Sequence, residues 1–399
     1  MSLRERRELV SLFENASLAM QGGGVLFSVV CVSGSSYRQP GAHMLLLPDG
    51  RTAGTLSGGC LEADLLRRAA WMVRAGAVVE HFSTAFDDTD EIPYGLGCGG
   101  EIDVLVEPLD TSEASAFLGA MAASSRGEEH TVATLLPDKA ATGKDTLRRI
   151  VLDPHGDVFF ASDTLATDDI VTMRYAARAV DANAKVCQQV DTGLGAQIVE
   201  RLEPVQRLVI FGAGEDARPL SRLAVEMGWQ PVVVDTRADR ATAERFPGAH
   251  CIVSDTGYGV PVRGNDAAVL MTHSYAQDRK LLAELLPAAP VYLGLLGARH
   301  RSALLLQEAA VDAGIPLHTA LERTHAPIGL ELGGEGPEAV ALAIAAEVQQ
   351  VLAGKDARPA LPRRLTIMDA ERLLREGPGS VQYSRCALFP LDQLEAVSQ

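Results

Sequence analysis

The chain has 399 residues, enough for two domains that each bury a core. Its apolar fraction of 47% is that of an ordinary globular protein, and 36 basic against 52 acidic residues give a net charge of −16. That balance argues against nonspecific attraction to nucleic acid or to an anionic membrane. The first residues, Met1-Ser-Leu-Arg-Glu-Arg-Arg-Glu, lack the apolar core of a signal peptide, and no apolar run approaches the roughly 18 residues of a membrane span. The cytoplasm is therefore the expected compartment. Cysteines at 31, 60, 98, 187, 251 and 386 are scattered without a CxxC pair, a spacing of neither a disulfide framework nor a zinc site.

In chain order, residues 5–20 read as an amphipathic helix, broken by Gly22-Gly-Gly24 and followed by a buried strand over Val25–Val32. Ser33–Gly41 is a polar loop carrying Arg38. Met44–Leu47 reads as a strand, Pro48-Asp49-Gly50 as a turn, and Thr52–Leu56 as a short second strand. The stretch Gly54-Thr-Leu-Ser57-Gly58-Gly59-Cys60-Leu61-Glu62 follows. Leu61, Leu65, Leu66, Ala69, Ala70 and Met72 then recur at helical spacing, so Ser57, Gly58, Gly59 and Cys60 stand at a helix N-terminus. Free N–H groups and the positive end of the dipole collect there, which suits an anion and lowers a thiol's pKa. The plain alternative is a tight turn with a small buried cysteine.

A second such stretch, Tyr94-Gly95-Leu96-Gly97-Cys98-Gly99-Gly100, leads into the alternating strand Ile102–Pro108. Glycines beside a reactive group let a ligand or another backbone approach closely. Between Asp110 and Gln206 the signals are weaker: a helix over Ser112–Ala123, strands over Thr131–Leu136, Arg148–Leu152 and Val158–Phe160, a helix over Ile170–Ala182 and a strand over Ala196–Glu203. This stretch offers no chemical constellation, and His130 and His155 are expected at the surface.

A second domain opens at Arg207. The strand Leu208-Val-Ile-Phe211 precedes Gly212-Ala213-Gly214-Glu215-Asp216-Ala217, then a helix to Met227 and the strand Pro231–Val234, which ends in Asp235. G-x-G-x-x-A between strand and helix, with an acid about 20 residues on, is a dinucleotide fingerprint. Pyrophosphate would lie on the helix N-terminus and a ribose hydroxyl on Asp235. Glu215 and Asp216 put negative charge in that turn, and Arg237 stands just past the acid. Later strands end in Thr272-His273-Ser274 and Gly294-Leu-Leu-Gly297, placing His273, with Arg299 and Arg301 beyond, where open α/β sheets bind ligands. A glycine cluster, Gly333–Gly336, opens a helix at Pro337.

Arg38-Gln-Pro40-Gly41-Ala42, the Gly54–Glu62 stretch and Cys98-Gly99-Gly100 resemble the N-terminal signature of the XdhC/CoxI family, maturation factors of xanthine dehydrogenase and related molybdenum hydroxylases. Thr272-His-Ser, Gly294-Leu-Leu-Gly297, Ile328-Gly-Leu and Pro337-Glu338 with Ala345-Ala346-Glu347 are similar to the family's C-terminal half; where the family has a His after Gly-Ala-Gly, this chain has Glu215. The resemblance implies an α/β protein: a mixed α+β domain over residues 1–205, a Rossmann-like parallel sheet over 206–355 and a C-terminal extension over 356–399. It also implies a chaperone that binds finished molybdenum cofactor and hands it to an apo-hydroxylase, in some members with a cysteine desulfurase. Arg38, Ser57, Gly58, Gly59, Cys60, Glu62, Cys98, Gly99, Gly212, Gly214, Asp235 and His273 are the candidate cofactor-binding residues. Cys60 and Cys98 are the soft ligands suited to molybdenum, with Cys60 equally a sulfur carrier. A homodimer is the base-rate expectation. Two rival readings are an NAD(P)-dependent oxidoreductase on the Rossmann half and a redox sensor with a Cys60–Cys98 disulfide.

Overall fold

The computed structural model describes residues 3–16, 23–34, 36–57, 59–83, 100–137, 147–180, 187–254, 260–354 and 389–390; for Leu3, Cys60, Phe389 and Pro390 it describes the backbone alone. The chain forms two compact units, Met1–Pro204 with Arg364–Gln399 and Val205–Arg363.

In the first unit the strands build two sheets. Sheet one has the order β3 (Thr52–Gly54), β2 (His43–Leu46), β1 (Val25–Ser33), β5 (Glu101–Pro108), β4 (Val78–Ser83), and its pairings are antiparallel. Sheet two has the order β16 (Phe389–Pro390), β9 (Cys187–Asp191), β10 (Ala196–Leu202), β6 (His130–Leu135), β7 (Arg148–Leu152), β8 (Val158–Ala161). Along β1 and β5, Phe27, Val29, Val104 and Val106 point to one face, where Leu61, Leu65, Ala69 and Met72 of α2 (Cys60–Met72) cover them. Successive residues point to opposite faces, so Leu26, Val30 and Leu105 turn the other way, towards Val132, Ile198 and Leu202 of sheet two. Helices α1 (Leu3–Glu14) and α3 (Ser112–Ser125) pack into this second core through Leu9, Phe117, Leu118 and Met121. The outer face of sheet two is closed by Met173, Ala176 and Ala177 of α4 (Thr167–Ala179).

The same alternation puts polar residues between the sheets. Glu107 (0% exposed) shares a face with Leu105, and Arg149 (2%) one with Val151. Their side chains meet in two hydrogen bonds of 3.0 Å, Arg149 Nη1 and Nη2 donating to Glu107. His43 of β2 and Glu200 of β10 form a second link, with His43 Nε2 3.0 Å from Glu200 Oε1 and Nδ1 2.8 Å from Ser28 Oγ. The Phe117 ring touches both links, 5.0 Å from the His43 ring and 4.9 Å from the Arg149 guanidinium. Phe117, Arg149 and Glu200 come from the stretch in which no chemical constellation was expected, and His130 is buried (6%) against Phe159 rather than at the surface; His155 is exposed as expected.

The second unit is a parallel sheet ordered β13 (His250–Val253), β12 (Gln230–Asp235), β11 (Arg207–Phe211), β14 (Ala267–Leu270), β15 (Tyr292–Leu295). Helices α6 (Tyr275–Ala288) and α7 (Arg299–Ala313) bury Leu281, Leu282, Leu285, Leu305 and Leu306 on one face. Helix α5 (Ala217–Glu226) packs on α9 (Pro337–Leu352) and on β11 and β12, and the short α8 (Leu317–Glu322) packs on α7. Strand order reverses between β11 and β14, which opens the switch-point crevice of doubly wound folds.

Candidate functional site

In the first unit the glycine–cysteine turn is held by its own side chains. The Glu62 carboxylate, almost fully buried, accepts the N–H groups of Leu56 (2.9 Å) and Ser57 (2.7 Å) and the Ser57 hydroxyl. Burial works to raise the Glu62 pKa, but these donors outweigh it and hold the carboxyl below its ordinary value. Ser57 Oγ in turn accepts from Gly59 N–H (3.3 Å) and Leu61 N–H (3.2 Å). Gly59 is exposed with φ 111°, a left-handed conformation that a side chain would strain, and Cys60 is the first helical residue of α2. Gly54, at the head of the turn, has φ +81°, and a Cβ there would lie 2.2 Å from the His43 carbonyl oxygen. Arg38 lies beside the turn, donating to Thr55 O (3.2 Å) and pairing with Glu5 of α1, which also accepts from Thr55 Oγ1. Arg38, Ser57, Gly59 and Glu62 are thus brought together around the start of α2. Gly58, Cys98 and Gly99, and the Cys60 thiol, lie outside the described residues.

Cys31 is disulfide-bonded, a pairing that the scattered cysteine positions did not reveal, while Cys187 and Cys251 are free thiols. Burial, reinforced by the nearby Glu200 carboxylate, pushes the Cys187 thiol well up, so it is a poor nucleophile. Among the described residues no group of three or more His, Cys, Asp or Glu is arranged to hold a metal ion.

In the second unit the fingerprint folds as its sequence requires. Gly212 has φ 114°, and a Cβ there would stand 2.4 Å from Met271 O. A small crevice opens beside it, lined among others by Gly212, Asp235, Thr236 and Thr272. Asp235 is already engaged: it accepts from Ala213 N–H (2.7 Å), Arg237 N–H (2.9 Å) and the Arg237 guanidinium (2.8 Å to each oxygen). Burial opposes ionisation, yet the Arg237 and backbone donors hold this carboxyl at about 2. Gly214 abuts Asp216, whose carboxylate caps Ala217 N–H and lies 2.8 Å from His273 Nε2. His273 is exposed and has φ 60°, so the Asp216 contact fixes a residue in an uncommon backbone conformation. Thr272 Oγ1 donates to buried Asp278, which also receives Arg301 Nη2 at 2.6 Å.

Farther along, Glu347 gathers the Tyr292 hydroxyl (2.5 Å), Gly329 N–H (2.8 Å) and His325 (3.3 Å), joining α9 to β15 and to the Ile328-Gly-Leu loop. Alternation along the strands could have flagged Glu107, Arg149 and Glu200, since each sits at inward parity in an otherwise apolar stretch.

A mixed α/β unit with a braced glycine–cysteine turn, joined in sequence to a doubly wound unit, defines a two-part α/β protein with a Rossmann-like second half. Family models agree: residues 18–83 match the XdhC and CoxI family, and residues 208–348 match the XdhC Rossmann domain. The chain belongs to the XdhC and CoxI family. It is 29% identical over 354 residues to a probable xanthine dehydrogenase subunit of Bacillus subtilis (strain 168), covering 84% of this chain and 95% of that protein. It is 24% identical over 372 residues to the molybdenum cofactor insertion chaperone PaoD of Escherichia coli (strain K12), covering 90% and 93%. A crystal structure of a xanthine dehydrogenase from Bacillus halodurans superposes with a TM-score of 0.70 at 27% identity, over 91% of this chain and 98% of the other. No helix among the described residues is long and apolar enough to cross a membrane.

Proposed function

We propose that the chain is a maturation factor that takes molybdenum cofactor as cargo, protects it and inserts it into an apo molybdenum hydroxylase of the xanthine dehydrogenase kind. The observation that carries this reading is the braced turn. Glu62 and Ser57 fix the loop from both sides, so the backbone delivers Cys60 as the first residue of α2, where a helix dipole favours a thiolate and anionic groups. Both relatives with long coverage carry names from the molybdenum hydroxylases. In this reading Cys60, with Cys98, meets the metal end of the cargo, and Gly58, Gly59 and Gly99 let the pterin come close. Arg38 contributes a cation at the edge of the turn. Sulfur delivery by a cysteine desulfurase and a homodimeric state are the finer parts of the same proposal.

The test is equilibrium binding of isolated molybdenum cofactor to the wild type and to Cys60→Ala, each checked for folding by circular dichroism. Binding by the wild type and loss in the variant is the expected result. Equal retention by both removes Cys60 from the site. NADH titrated in parallel addresses the oxidoreductase alternative, in which a ribose diol must displace Arg237 and Ala213 N–H from Asp235.

A further inference from the structure

The glycine-rich turn of the second unit is encircled by arginines. Arg218 comes from the first turn of α5, Arg237 and Arg240 from the segment after β12, and Arg245 from just beyond it. Three of them converge on one carboxylate: Glu215 lies 2.9 Å from Arg218 Nη1, 2.8 Å from Arg245 Nη2 and 3.9 Å from Arg240 Nη1. Asp239 approaches Arg240 at 3.9 Å, and Asp235 is taken up by Arg237. Three guanidinium charges therefore face one full carboxylate and a second at the margin of contact. Donors are left over as well, for the Nε atoms of Arg218 and Arg245 are buried with no hydrogen-bond partner. Glu215 itself is 58% exposed, so its side chain can leave without opening the fold.

The location gives this excess a chemical meaning. In doubly wound sheets the first strand–helix turn holds a nucleotide's phosphate, and the end of the next strand holds its ribose, where an arginine accommodates a phosphate on that sugar. Arg237, Arg240 and Arg245 follow β12; Arg237 holds Asp235, which lines the crevice with Gly212 and Thr236, and Arg245 Nη2 reaches Ala213 O of the glycine turn at 3.5 Å. A planar guanidinium fork pairs with phosphate through two parallel hydrogen bonds, and a phosphate monoester brings nearly twice the charge of a carboxylate. We propose that this cluster is a subsite for a phosphate monoester carried on a nucleoside, with Glu215 holding the arginines in position until the phosphate displaces it. Glu215 is thus a resident competitor, and its ionised state follows from its partners: hydrogen bonds from Arg245 and then Arg218 hold its carboxyl at about 2. The inference does not depend on the cofactor-handling reading, and its test uses no molybdenum.

Isothermal titration of the full chain at low ionic strength tests it, with inorganic phosphate, adenosine 5′-monophosphate and adenosine 2′,5′-bisphosphate as probes. The bisphosphate is expected to bind the wild type roughly tenfold more tightly than either other probe, and Arg218→Gln/Arg245→Gln to lose about that factor. Glu215→Gln is expected to bind several-fold more tightly, because the competing charge has gone. That sign separates a ligand subsite from a structural ion-pair cluster, which loses nothing but a little stability in the same variant. If Glu215→Gln binds no better than the wild type, or no probe binds either protein, the proposal falls. Inorganic phosphate binding as tightly as the bisphosphate overturns the nucleotide assignment. Cys60→Ala is expected to bind all three probes like the wild type, so failure here and failure of the maturation reading are told apart.

Discussion

Arg149 and Glu107 lie 42 positions apart in sequence, on different sheets, and meet as a two-pronged ion pair with almost no exposure to solvent. With His43 and Glu200 they join the two sheets of the first unit through polar contacts rather than through apolar contact alone. Breaking one partner of a buried pair leaves the other uncompensated, which typically costs about 3–5 kcal/mol. Glu107→Gln and Arg149→Met are each expected to destabilise the first unit by that order. The double variant Glu107→Leu/Arg149→Met should recover much of it. Urea denaturation with hydrogen exchange at β5 and β7 reads both, and two additive losses would show that the residues are uncoupled.

Acid acts on the second link. Burial tends to raise the Glu200 pKa, but the paired His43 and the field of Arg6 outweigh it, so the folded value lies below the ordinary carboxylate range. A depressed folded pKa means stability that is present above the unfolded value of about 4.3 and is lost as pH falls through the folded one. Denaturant midpoints measured from pH 6 down to pH 3 are expected to fall, and Glu200→Gln to start lower and fall less steeply.

In the second unit the corresponding window is lower. Asp235 titrates near 2 in the folded chain against 3.8 for the free group, so its contribution is complete above about 3.8 and disappears towards 2. Its partner Arg237 is half exposed, which limits the effect to the order of 1–2 kcal/mol. Asp235→Asn is expected to flatten the acid limb of the unit's thermal stability, and an unchanged limb would assign that loss to other carboxylates.

Gly212→Ala would place a methyl group 2.4 Å from Met271 O at a φ of 114°. Strand β11 or β14 must shift to admit it, at a cost on the order of 2–4 kcal/mol. A fall in the melting temperature of the second unit, with nucleotide probes no longer bound, is the expected outcome. Wild-type melting would mean that the turn relaxes more freely than its packing indicates.

Glu62→Gln replaces one acceptor oxygen with a donor where two backbone N–H groups and the Ser57 hydroxyl all donate to the carboxylate. Faster exchange of the Leu56 and Ser57 amides is expected, with a local cost of about 1–3 kcal/mol and little change in global melting. Under the proposed function, cofactor retention should fall as well. Slow amide exchange in the variant would show that the turn is held by something other than this carboxylate.

Much of this fold was legible because its signals are local. The strand Leu208–Phe211, the glycine turn and Asp235 lie within one βαβ unit, and period-two alternation marked β5 and β10. The short β9, β13 and α8 escaped notice, being too brief for periodicity to register. The buried seam escaped for a different reason. His43 and Glu200 are separated by 157 positions, and a charged residue at inward parity names its partner only once the two sheets face each other. Likewise, the sequence placed Asp235 and Glu62 near ligands as candidates, but could not show that their acceptor oxygens were already engaged by the chain itself.

Gly54 leans its bare α-carbon on the carbonyl of the residue whose ring ties the two sheets together. A side chain at 54 therefore prises β3 from β2 and disturbs His43 before it reaches any ligand. In a screen for loss of hydroxylase maturation, position 54 would score as strongly as a true contact residue. Under the proposed function the signature is thus two things overlaid: a hinge pin at its first glycine and a working surface that starts at Gly59. Only assays that separate folding from delivery will divide one from the other.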